Sequence, residues 1–110
     1  MKINEGMDHI AKYISYGDDL YFPSIVKNEW NGHDNAWWAF YGKRTKYGYS
    51  SRVTLFTVCG RSYEDVSRKL IKLYFNYEAE GFIRDGKTWH GPKPHGYDFS
   101  QCVCDHSILE

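Results

Sequence analysis

Apolar and polar residues change period several times along this chain, and each change marks an element. Met7, Ile10 and Ile14 recur at helical spacing between Asn4, a good N-cap, and Gly17, a plausible stop, which predicts a short amphipathic first helix. LYFPSIV, Leu20 to Val26, then reads as a strand. Pro23 has no N–H to offer a neighbour, so that strand is expected at a sheet edge. NEWNGHDN follows as turn chemistry, because Asn31-Gly32 and Asp34-Asn35 tolerate positive φ.

Two strong strand patterns come next, Ala36 to Tyr41 and Arg52 to Cys59, both rich in aromatic and β-branched residues. The polar, glycine-containing KRTKYGYSS between them reads as a loop. After Gly60 the period becomes helical. Ser62 opens S-Y-E-D, a variant capping box completed by Asp65, and Val66, Leu70, Leu73, Tyr74 and Tyr77 form one stripe that ends at Gly81. Asp85-Gly86, between Phe82-Ile83 and Trp89, is a type I′ hairpin signal. From His90 the chain is Pro/Gly-punctuated and expected to be irregular. The predicted architecture is one α+β domain over residues 1–110. It comprises a three-stranded antiparallel sheet with two helices in the order α-β-β-β-α, a small C-terminal β-hairpin and a tail.

Strand alternation sends Trp37, Ala39 and Tyr41 to one side of the sheet and Ala36, Trp38 and Phe40 to the other. On the next strand it sets Val53, Leu55 and Thr57 against Thr54, Phe56 and Val58. Both faces are therefore apolar, whereas a half-solvated antiparallel sheet has a polar side. Two helices cover one face of three short strands. The other is either covered by Phe82, Ile83, Trp89, Tyr97 and Phe99 from the C-terminal segment, or left as a contact surface that could also make a homodimer.

The predicted order resembles the topology of double-stranded RNA-binding domains. That family opens its last helix with lysines that clamp phosphates, and RSYEDVSRKL here puts Glu64 and Asp65 in that place, so the RNA function is not carried over. Composition agrees. The 110 residues carry a formal net charge of +0, without the basic surplus of a phosphate binder. Aromatics at 18% with few alanines exclude a disordered chain and imply a core built of rings, whose Tyr O–H and Trp N–H groups need partners. Three cysteines and no secretory leader or bilayer-length apolar run suggest a reduced, cytoplasmic setting away from membranes.

His90, His95, Cys102, Cys104 and His106 offer zinc's preferred donors, but C-x-C is an unusual chelate. The expectation is free thiols in the tail and no metal or other cofactor. Cys59 closes a core strand and reads as a small apolar residue rather than a nucleophile. No phosphate-binding loop, nucleophile elbow or zinc-protease motif occurs, so an enzyme is not expected. The remaining candidate site is the aromatic and basic hairpin: Trp37, Lys43, Arg44, Lys46, Tyr47, Tyr49 and Arg52. Tyr and Arg are favoured interface anchors. The expected function is binding to a larger protein, with the cations steering toward an acidic patch. In being small, motif-free and dense in rings, the chain resembles accessory proteins of phages and mobile elements, anti-CRISPR inhibitors among them. The alternatives are a nucleic-acid module using the same hairpin, or a zinc protein or enzyme centred on the tail.

Overall fold

The computed structural model describes the backbone of residues 3–27, 37–45 and 48–96. The fold is α+β. A first helix α1 (Ile3–His9) is followed by β1 (Ile14–Tyr16), β2 (Asp19–Lys27), β3 (Trp37–Thr45) and β4 (Gly48–Gly60). Then come the long helix α2 (Tyr63–Ala79) and three two-residue strands, β5 (Ile83–Arg84), β6 (Thr88–Trp89) and β7 (His95–Gly96). Among the described residues these strands form one mixed sheet of seven, ordered β5-β6-β1-β2-β3-β4-β7.

The expected three-stranded antiparallel sheet is thus too small, for two reasons. The first helix stops at His9, and Ile14, taken for its last apolar residue, is a fully buried member of β1. Gly17 ends no helix. With φ 59° it opens a two-residue turn to β2, and positive φ at this first turn position alone marks a type II′ hairpin. The extra strand also removes the α-β-β-β-α order on which the likeness to RNA-binding domains rested. The second reason is that the Asp85-Gly86 hairpin joins the main sheet. Asp85 and Gly86 both have positive φ, as a type I′ turn requires, and β6 runs parallel to β1 through Ser15 and Thr88. The Ser15 amide donates to the Lys87 carbonyl at 2.7 Å.

Pro23 is not on an edge strand, since β2 lies between β1 and β3. The β1 pairs end at Tyr21, however, so Pro23, opposite Tyr41 of β3, sits where β1 no longer flanks the strand.

α2 forms as its stripe predicts. The Asp65 amide donates to Ser62 Oγ at 3.0 Å, and Asp65 Oδ2 accepts from the Arg61 amide at 3.0 Å. At the other end the Phe82 amide reaches the Tyr77 carbonyl and the Gly81 amide reaches that of Glu78, a Schellman motif that needs the positive φ of Gly81. Val66, Leu70, Leu73 and Tyr74 are buried on the sheet. Rings build much of that core. Tyr41 lies 4.9 Å from Phe56, Phe56 lies 5.0 Å from Tyr77, and Trp89 stands at 80° to Tyr77. Two of the polar tips have partners: the Tyr41 hydroxyl donates to the Ala11 carbonyl and Trp89 Nε1 to that of Pro92.

Candidate functional site

The β3–β4 ribbon is longer than its pattern suggests. KRTKYGYSS is mostly strand: β3 runs to Thr45, β4 starts at Gly48, and Thr45 pairs with Gly48 across a two-residue connection. Nine residues of β3 face thirteen of β4, and the surplus enters at two register shifts, one between Phe40 and Gly42 and one between Gly42 and Lys43. The first shift changes the expected alternation. It turns both Leu55 and Phe56 into the core, and lets Thr57 Oγ1 donate to Thr54 Oγ1 at 3.3 Å.

The register divides the sheet into two faces. Residues directly opposite in an antiparallel pair share a face. Ala39 and Val58 face α2 and belong to the main core, whereas the pairs Trp38–Cys59 and Phe40–Thr57 alternate with it and point the other way. On β2 that second face carries Leu20, Phe22, Ser24 and Val26, with Ser24 opposite Phe40 and Val26 opposite Trp38. Leu20 and Val26 are 42% and 39% exposed, which is unusual for large apolar side chains on a sheet. Phe82, Ile83 and Trp89, expected to cover the second face, instead extend the core on the α2 side. Tyr97 and Phe99 lie outside the described residues.

The exposed Arg44 guanidinium lies over the Phe22 ring, 5.4 Å from its centroid, and Tyr13 packs on Phe22 at 6.2 Å. Among the described residues no carboxylate pairs with Arg44. Its neighbour Lys43 is tied to Asp19 at 3.2 Å. Beneath them Tyr21 faces the core, its phenol pKa raised by burial and then by Asp19 and Tyr16. Backbone register sets Tyr49 opposite Arg44, and Arg52 also belongs to β4; the side chains of both, and all of Lys46 and Tyr47, lie outside the described residues.

Trp37 is not part of this cluster. It sits at the far end of β3, seven residues or about 23 Å from Arg44 at ~3.3 Å per residue. There it meets Tyr63 edge-on at 5.7 Å, with Lys27 over its ring. The sequence reading also passed over Leu20, Phe22 and Val26. Their signal was present as the period-two spacing within LYFPSIV, which was read for its proline and not for its faces.

Among the described residues no group of three or more His, Cys, Asp or Glu side chains is placed to hold a metal ion. His90 is exposed, and its amide donates to the Phe82 carbonyl. His95 lies in β7, while Cys102, Cys104 and His106 are outside the described residues. Cys59 corrects the sequence reading, being half of a disulfide rather than a lone apolar residue. Lys69 was also missed as a structural cation: its buried ammonium donates to the Cys59 carbonyl and pairs with Asp65, both at 3.2 Å. No described helix is long and apolar enough to cross a membrane. No family model, curated protein or solved structure matches this chain.

Proposed function

We propose that the chain is a non-enzymatic binding protein that occupies a surface of a larger protein, using the β2 strip Leu20, Phe22 and Val26 together with the basic hairpin end at Lys43 and Arg44. One observation carries the reading: an exposed arginine held over the Phe22 ring beside the exposed Leu20, on the sheet face whose far end carries the exposed Val26. That pairing presents area and charge at little entropic cost, because the guanidinium is already ordered by the ring. Lys46, Tyr47, Tyr49 and Arg52 belong to the same hairpin and extend the proposed contact. Trp37, at the other end of β3, belongs to a separate Lys27–Trp37–Tyr63 cluster and has no part in it. The action is steric blockade, the form that an anti-CRISPR-like inhibitor of host defence would take.

The test is affinity capture from native-host lysate with wild-type protein and with an Arg44→Ala, Leu20→Ser, Val26→Ser variant, read by quantitative mass spectrometry. A protein enriched by wild type and lost from the variant supports the reading. Equal capture by both places the working surface elsewhere. Selective loss of nucleic acid, with binding that falls steeply with salt, favours a nucleic-acid module instead.

A further inference from the structure

At one corner of the outer sheet face Phe22 of β2 lies opposite Gly42 of β3, so the residue directly across brings no side chain to the ring. Arg44 is two residues further along β3 and on the same face, and its guanidinium is held over that ring, 5.4 Å from the centroid. One step beyond the Tyr21–Lys43 pair the register sets Leu20 beside Arg44, about 5 Å away at ordinary strand spacing. Leu20 is 42% exposed, and Arg44 is exposed as well. An apolar side chain and a cation thus stand next to each other, both open to solvent.

The charge of Arg44 is not met from within this corner. The ring attracts the guanidinium but offers its N–H groups no oxygen acceptor. Among the described residues no carboxylate pairs with Arg44, and the neighbouring Lys43 is already tied to Asp19 at 3.2 Å. A planar fork of N–H donors matches a carboxylate, which it can bind through two parallel hydrogen bonds. A polyanion fits less well. Asp18 and Asp19 stand at the same end of β2 as Leu20 and would repel a run of phosphates.

We propose that this corner takes an acidic segment of a protein, with one Asp or Glu carboxylate on Arg44 and a neighbouring apolar side chain on Leu20 and Phe22. The proposal rests on the function proposed above and adds the partner's chemistry to it. Because Leu20 and Arg44 are side by side, one short segment serves both, at i,i+2 spacing in an extended chain or i,i+3 in a helix. The guanidinium is already held by the ring, so the carboxylate meets a donor that loses little further freedom on binding.

The experiment is selection of a random peptide library, displayed on phage, against the full chain. The most enriched peptide is then synthesised and its binding measured by fluorescence anisotropy with wild type and variants, each checked for folding by circular dichroism. Expected are peptides in which Asp or Glu recurs within about four residues of Leu, Ile, Met or Phe. Arg44→Ala should weaken such a peptide about tenfold or more, and Arg44→Lys should restore it only in part. Replacing the peptide's acid by its amide should weaken binding to wild type and cost Arg44→Ala nothing further. Arg44→Glu should turn the selection toward Lys and Arg. Peptides that need Leu20 but carry no acid, or that bind Arg44→Ala as well as wild type, overturn the proposal and leave the contact surface standing. Peptides indifferent to both Leu20→Ser and Arg44→Ala overturn the two together, and a selection that enriches nothing overturns the proposal. Random single-stranded DNA that displaces the peptide at lower concentration than unlabelled peptide does overturns it in favour of nucleic acid.

Discussion

The two faces of this sheet are built from similar side chains and held in different ways. The inner face is closed by its own neighbours in sequence: α2 and the β5–β6 hairpin follow β4 directly and interlock Tyr41, Phe56, Tyr77 and Trp89. The outer face has buried rings on β3 and exposed apolar side chains on β2, with Arg44 laid along its margin. Similar rings therefore build the core on one side and, in the proposed function, border a contact surface on the other.

Mutations should split along the same line. Leu70→Ala, at the fully buried centre of the inner face, should cost about 2–5 kcal/mol in denaturant unfolding, the usual effect of a core cavity. A cost below ~1 kcal/mol would mean the inner face is not the stabilising one. Gly60→Ala probes the seam between β4 and α2. A Cβ there would stand 2.7 Å from Asp65 Oδ2 and 3.0 Å from the Val66 amide, where backbone cannot yield cheaply. The expected loss is about 1–3 kcal/mol, measured the same way.

The inner face should also weaken in alkali. Burial, reinforced by Glu78 at Tyr74 and by Glu80 at Tyr77, raises both phenol pKa values above 10.0; a backbone hydrogen bond at Ala11 partly offsets the shift at Tyr74. These groups stay neutral in the folded state where the unfolded chain would already ionise. Their contribution is therefore intact below about pH 10 and is lost as pH rises through the folded values. Urea midpoints that fall from about pH 10 upward would show it, and Tyr74→Phe should flatten part of the decline. The smallest stability effect belongs to the outer face. Arg44→Ala should change the unfolding free energy by no more than about 0.5 kcal/mol, because an exposed cation–π contact contributes little. It should weaken binding to a captured partner by about 2 kcal/mol or more if Arg44 is an anchor, as isothermal titration would read.

The inner face was largely legible in the sequence. The Ser62 cap, the Val66-to-Tyr77 stripe, Gly81 and Asp85-Gly86 are local signals, each tied to a hydrogen bond or a backbone angle within a few residues. What the sequence did not disclose depends on pairing at a distance. Ile14 fits a helical stripe with Met7 and Ile10 as well as it fits β1, and only the hairpin partner at Tyr21 decides. The surplus residues in β4 leave no mark in composition, so strict alternation set Leu55 with Thr57 and apart from Phe56, its neighbour in the core. The candidate site was half visible. Lys43 and Arg44 stood out as cations among rings, but Phe22 joins Arg44 only through the β2–β3 register, and Trp37 looked near them only because the ribbon was read as a short loop. Cys59 was misjudged for the same reason, since a disulfide is a long-range contact that spacing does not reveal.

Hydrogen exchange on the chain, free and bound to the partner that wild type captures, tests the division of the two faces most directly. Binding should slow exchange across residues 19–27 and 43–50 and leave residues 63–79 and 83–89 unchanged. Protection confined to α2 and the β5–β6 hairpin would contradict the account, because the recognition surface would then lie on the face assigned here to stability.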